Sequence, residues 1–92
     1  MLIYIHYVNH YKTKNNMPEF TILCPGAFDY ILNKTGNMLI RYRPHDVCCV
    51  IDQDKAGRTA QDVLGFGGEI PVVSNFKEAE DYSPNALMIG SA

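Results

Sequence analysis

The run Val47-Cys48-Cys49-Val50-Ile51 constrains this chain most, because five consecutive apolar residues leave neither face of a strand for water. A strand that is apolar on both faces belongs in a parallel sheet sandwiched between helix layers. The flanking segments read the same way. Phe20-Thr21-Ile22-Leu23-Cys24 is a short β-rich run stopped by Pro25-Gly26. Ile31, Thr35, Met38, Leu39 and Tyr42 then recur at helical spacing, as one face of a helix ended by Pro44. After the central run, Ala56, Ala60, Val63 and Leu64 mark a second helix face closed by Gly65. Ile70-Pro71-Val72-Val73 reads as a third strand, with Pro71 near its start or at an edge because it has no amide to donate. Ser74 or Asn75 caps a short helix through Glu80, with Glu78 three residues after Asn75 in a capping-box arrangement. Ser83-Pro84-Asn85 turns into a last strand, Ala86-Leu87-Met88-Ile89. Strands alternating with helices predict right-handed crossovers and a parallel sheet. The expected fold is α/β: a Rossmann-like, three-layer βαβαβαβ half. The chain stops at the tip of its last strand, where such domains normally continue, so it reads as truncated across its own binding site.

Residues 1–16 differ from the rest and read as an N-terminal extension or an edge strand, leaving 17–92 as the domain proper. At 92 residues there is room for one domain with a modest core. Eight basic residues against ten acidic give a net charge of −2 with no basic stripe, which excludes nucleic acid as a main partner. No apolar stretch approaches the roughly 20 residues of a membrane span, and the N-terminus lacks the features of a secretory signal. Three cysteines, two of them adjacent, make no disulfide framework and point to a reducing, cytoplasmic setting. Strand alternation places Cys48 and Cys49 on opposite faces, so they are read as small buried hydrophobes that cannot share a metal. His6, His10 and His45 have no metal spacing, and no catalytic constellation can be argued.

Candidate ligand-binding residues come from position. A strict dinucleotide fingerprint needs G-x-G-x-x-G after the first strand, but the turn Cys24-Pro25-Gly26-Ala27-Phe28-Asp29 has one glycine. The G-x-G at Gly65-Phe66-Gly67 follows a helix and reads as its stop. Lys34-Thr35 is no P-loop, since Asn33 and Asp29 stand where that loop requires glycine. Two readings of the first helix remain open. If Asn33 caps it, Lys34, Thr35 and Gly36 form a first turn whose amides, dipole and lysine converge on an anion. If Asp29 caps it, Lys34 lies on a solvated face. Asp52, at the tip of the second strand, suits either a ribose hydroxyl or the cap of its own turn. Arg58, near the same sheet edge, suits a phosphate or an ion pair with Asp54 or Asp62. Arg41 and Arg43 favour the negative end of the first helix.

Taken together, Lys34-Thr35-Gly36-Asn37-Met38-Leu39-Ile40-Arg41-Tyr42, Val50-Ile51-Asp52 with Ala56-Gly57-Arg58, Gly65-Phe66-Gly67-Gly68-Glu69-Ile70-Pro71-Val72-Val73 and Ala86-Leu87-Met88-Ile89-Gly90-Ser91-Ala92 resemble a specific family. They are similar to the N-terminal Rossmann-like domain of the domain-of-unknown-function 1611 proteins, from about Phe20 to Ala92. That family carries an NAD-dependent epimerase/dehydratase-like label and includes D-glutamate N-acetyltransferases. The resemblance implies a nucleotide or coenzyme A ligand, acetyl-CoA above all, with NAD as the alternative. It implies that a C-terminal P-loop domain, absent here, carries most of the chemistry, so this fragment alone is inactive. Lys34 and Thr35 are then expected at phosphates, Gly26 and Gly90 where the backbone approaches the ligand, Asp52 at a ribose and Arg58 at a phosphate. The run through Ile70-Pro71-Val72-Val73, Lys77-Glu78-Ala79 and Ala86-Leu87-Met88-Ile89 is also similar to the coenzyme-A-binding domain of succinyl-CoA-ligase-type enzymes. The family's first turn is richer in glycine than Tyr30-Ile31-Leu32-Asn33. Two rival readings stand beside this one: an NAD(P) domain of an oxidoreductase, and a non-catalytic assembly module. A truncated sheet leaves an edge or face uncovered, which predicts a homo-oligomer or the missing C-terminal domain against it.

Overall fold

The computed structural model describes residues 4–6, 18–29 and 31–90. Most of the N-terminal segment, including His10 and Met17, lies outside the described residues, as do Tyr30, Ser91 and Ala92. Along the chain come β1 (Tyr4–His6), β2 (Phe20–Leu23), α1 (Lys34–Tyr42), β3 (Val47–Ile51), α2 (Ala60–Leu64), β4 (Val72–Val73), α3 (Phe76–Ala79) and β5 (Ala86–Ile89). Short 3-10 turns cover Pro44–Asp46, Gln53–Lys55 and Glu80–Tyr82. The strands form one sheet in the order β1-β5-β2-β3-β4. β2, β3, β4 and β5 are parallel, and β1 runs antiparallel along β5. The parallel order β4-β3-β2-β5 is that of half a doubly wound sheet, so the Rossmann-like α/β class expected from the alternation is the class observed. Among the described residues no helix is long and apolar enough to cross a membrane.

Two apolar clusters sit on opposite faces of this sheet. On one, Phe20, Ile22, Val50 and Met88 pack under Ile40 of α1 and Ala60 of α2. On the other, Cys49, Ile51 and Val73 meet Ala79 of α3. The alternation along the strands generates both sets, because successive side chains of β2, β5 and the end of β3 point to opposite faces.

The helices begin and end where local chemistry dictates. Thr59 and Asp62 form a reciprocal capping box on α2: the Asp62 amide donates to Thr59 Oγ1 (3.2 Å) and the Thr59 amide to Asp62 Oδ2 (3.0 Å). Gly65 ends that helix in the left-handed region at φ 83°, where a side chain is disfavoured. α2 starts at Ala60, so Ala56 is not on it and lies exposed in the turn after Gln53–Lys55. At α3, Asn75 Oδ1 accepts from the Glu78 amide (2.9 Å), but the Glu78 carboxylate accepts from Ser74 rather than Asn75. Half of the expected box is present.

Two expectations from sequence are corrected. The face of α1 turned to the core is Gly36, Asn37 and Ile40, whereas Met38 and Tyr42 are 58% and 68% exposed and Ile31, before the helix, is 61% exposed. Glycine is needed at position 36 because the buried Asn33 side chain folds back over it: a Cβ there would stand 2.7 Å from that side chain. The second correction concerns the adjacent cysteines. Phe20 pairs with Val47 but Thr21 pairs with Cys49, so Cys48 is an extra, bulged residue. Alternation therefore breaks at this point, and the Cys48 and Cys49 sulfurs lie 4.0 Å apart instead of on opposite faces.

Candidate functional site at the strand tips

In an open parallel sheet, loops leaving neighbouring strands in opposite directions open a crevice at the carboxyl ends. Here that reversal falls between β2, whose chain crosses to β3, and β5 on its other side. The tips meet through the Gly90 amide, which donates to Leu23 O (3.1 Å). Gly26 and Gly90 follow the tips of β2 and β5, whereas Lys34, in the first turn of α1, lines a hollow with Asn37, Met38, Arg41 and Phe66.

Asp52 builds the first wall. It is fully buried, and its carboxylate accepts from three amides: Gly26 to Oδ1 (2.9 Å), Phe28 to Oδ2 (3.1 Å) and Asp54 to Oδ1 (3.0 Å). One side chain at the end of β3 thus fixes the turn after β2, with Gly26 at φ 72°, and caps its own 3-10 turn. The Lys55 ammonium closes the arrangement on Phe28 O (3.0 Å). Cys24 sits beneath the turn, and burial, reinforced by the Asp52 charge, pushes its thiol up to about 12. It is no nucleophile at neutral pH, because the thiolate is the reactive form.

Asn33 builds the second wall. Asp29 Oδ1 accepts from the Ile31 and Leu32 amides (2.7 and 2.6 Å), which holds the Asp29 carboxyl below its usual range and ties the turn ahead of α1. The helix itself starts at Lys34 with Asn33 in the cap position, but the Asn33 side chain makes no cap bond. The two residues weighed for the cap therefore divide the task. Asn33 is fully buried and donates through Nδ2 to Asn37 Oδ1 (3.0 Å), while Asn37 Nδ2 donates to Asp29 O (2.7 Å). This relay fixes which way both amides point and turns Asn33 Oδ1 toward Gly90, where it has no hydrogen-bond partner. A Cβ on Gly90 would overlap that oxygen and come within 3.1 Å of Ile22 Cγ2, so only glycine fits.

Lys34 is exposed in the first turn of α1 and Thr35 half-buried behind it. Arg58 is not brought to the crevice. Its backbone flanks β4, with the Val72 amide donating to Arg58 O (2.9 Å), two strands away from β2. Arg43 pairs with Asp46 (3.0 Å), and Arg41 lies over the Phe66 ring, 4.3 Å from its centroid. Sequence reasoning placed Asn33 only as a possible cap and missed the Asn33–Asn37 relay. The signal was two asparagines at i, i+4 flanking Gly36, a spacing that puts them on one helix face.

The strand order and its reversal between β2 and β5 define a class: half of a doubly wound, Rossmann-like sheet. Within that class the chain resembles the DUF1611 family in three dimensions as well as in motif. It superposes on the crystal structure of a DUF1611 family protein from Anabaena variabilis with a TM-score of 0.69 and 28% sequence identity. The likeness covers 82% of this chain, which spans 22% of the length of that protein. No protein-family profile matches the chain, and no curated protein does.

Proposed function

We propose that this chain is the nucleotide- or coenzyme-A-binding N-terminal domain of a DUF1611-type protein, not catalytic as the segment described. The observation that supports this reading is that the Gly26 turn and Gly90 follow neighbouring strand tips at the reversal of strand order, with α1 and its Lys34 and Thr35 next along the chain from that turn. Helix N-termini favour phosphate through their amides and dipole, and Lys34 adds a full charge there. Acetyl-CoA is the ligand preferred over NAD. That preference comes from the family resemblance and the missing glycine fingerprint; the Asp52 carboxylate, buried and already bonded to the Gly26, Phe28 and Asp54 amides, serves to hold the turn in either case. The reading includes a cytoplasmic setting, in keeping with three free cysteines, and a second domain or further copy of the chain across the crevice.

Calorimetric titration with acetyl-CoA and with NADH tests this proposal. The expected result is measurable affinity for acetyl-CoA that Lys34→Ala weakens by about tenfold, as loss of one phosphate contact does. Arg58→Ala is expected to leave it unchanged. Tighter binding of NADH, or an acetyl-CoA affinity indifferent to Lys34, overturns the reading in favour of the oxidoreductase or assembly alternative.

A further inference from the structure

Two exposed apolar patches lie on opposite layers of the molecule and carry opposite charge. On the α1 layer, Lys34, Met38 and Arg41 recur at i, i+4 and i+7, a spacing that puts them on one helix face. With Asn37 and Phe66 they line a shallow hollow of about 330 Å³. Met38 is more than half exposed, and Tyr42, one turn further on, extends the apolar stripe. Lys34 and Arg41 are the charged residues of α1, and both are cations. Among the described residues the side-chain ion pair is Arg43 with Asp46, so neither of these two meets a carboxylate there. Arg41 is instead steadied over the Phe66 ring, a contact that leaves the hydrogen-bond donors of its guanidinium unused.

On the α3 layer, Phe76, Glu80 and Leu87 wall a groove of about 430 Å³. Phe76 and Tyr82 are both more than two-fifths exposed. The stretch from Phe76 to Tyr82 holds Glu78, Glu80 and Asp81 against Lys77 alone. The Glu78 carboxylate is taken by the Ser74 amide, whereas Glu80 and Asp81 are exposed. Apolar side chains rimmed by charge mark a surface that binds another. These two surfaces complement each other, with cations beside a methionine on one and acids beside a phenylalanine on the other. A methionine adapts its shape to an irregular apolar groove, and a guanidinium pairs with a carboxylate through two hydrogen bonds.

We propose that the α1 face of one copy of this chain docks in the α3 groove of the next, with Met38 entering between Phe76 and Leu87 and Arg41 meeting Glu80. The patches lie on opposite layers, so a two-fold pair does not satisfy both. Each copy offers its α1 face to one neighbour and its α3 face to another, and the contact propagates to a ring or a filament. Arg41 lies about 10 Å along the helix from Lys34, and the contact holds independently of any ligand at the start of α1.

Sedimentation velocity of the full chain over a range of concentrations tests the proposal. The mass is expected to rise with concentration beyond that of a dimer. Arg41→Glu and Glu80→Lys, both at exposed positions, are each expected to abolish the rise. Mixing equal amounts of the two variants is expected to restore it, because the intact faces meet each other and the reversed charges meet each other. A contact between like faces gains nothing from that mixture. Met38→Ala is expected to weaken association about tenfold. A chain that stays monomeric, a mass that stops at the dimer, or a mixture no heavier than either variant alone overturns the proposal. Where a charge-reversed variant fails to melt cooperatively, Met38→Ala carries the test by itself, and unchanged association in it overturns the proposal.

Discussion

The two faces of the sheet are made by the same strands and packed to different standards. Beneath α1 and α2, Ile22, Phe28, Ile40 and Val50 are fully buried and form a continuous core with Phe20, Val72 and Met88. On the other face, α3 is four residues long and buries Ala79 with Cys49, Ile51 and Val73, Leu23 and Cys48 packing at the margin, which leaves Leu87 and Thr21 along a groove and Phe76 half exposed. Alternation along a strand supplies apolar side chains to both faces. Whether a face becomes a core depends on the length of the element laid across it.

Truncating matched residues on the two faces is the strongest way to break this comparison. Ile22→Ala is expected to cost about 4 kcal/mol and Ile51→Ala about 2 kcal/mol, because the thinner face can collapse around the gap. Urea unfolding reads both, and equal losses would mean that the faces are energetically alike. At the crevice end of the thicker face, Gly90→Ala is expected to cost about 2–3 kcal/mol by forcing Asn33 and Ile22 apart. A thermal midpoint unchanged by that substitution would show that the relay gives way easily.

The thiols of the two faces hold their protons for different reasons. Cys24, in the thicker core, keeps its proton to about 12 against an ordinary 9.0. Its stabilisation is complete below pH 9.0 and is lost as the pH rises toward 12, at up to about 1.4 kcal/mol per pH unit. On the thinner face, hydrogen bonds from Cys48 and then Thr21 hold Cys49 below its usual range, while the same contact and burial push Cys48 up. Cys24→Ala should therefore flatten the alkaline fall in stability, as urea midpoints between pH 8.5 and 10.5 would show. The smallest contrast lies in the caps: Thr59→Ala on α2 is expected to cost about 1.5 kcal/mol and Asn75→Ala on α3 about 0.5–1 kcal/mol.

What was legible in the sequence follows the same division. The Val47–Ile51 strand, the Gly65 helix stop and the order of elements were readable, because each is dictated by local composition. The buried face of α1 was not. Apolar spacing selects Ile31, Met38 and Tyr42, yet the helix buries Gly36 and Asn37 against the Asn33 side chain and the Asp29 carbonyl, and only the tertiary arrangement reveals that small and polar residues are wanted there. The bulge at Cys48 was hidden for a related reason: it belongs to the pairing of β2 with β3 and leaves no mark in either strand alone. Asp52 was singled out by its place at a strand tip, but its three amide partners include two that lie 24 and 26 residues away in sequence.

The strand order also sets a timetable. β2 comes first among the parallel strands yet ends between β3 and β5, and the bond that aligns its entry, from the Glu19 amide to Asn85 Oδ1, spans 66 residues. At about 5–20 residues per second of synthesis, β2 leaves the ribosome roughly 3–13 s before β5 exists to flank it. During that interval its second edge is open to any strand that comes near. The domain's exposure to misassembly is therefore concentrated before its last strand arrives, in a segment that ends as the most enclosed part of the sheet.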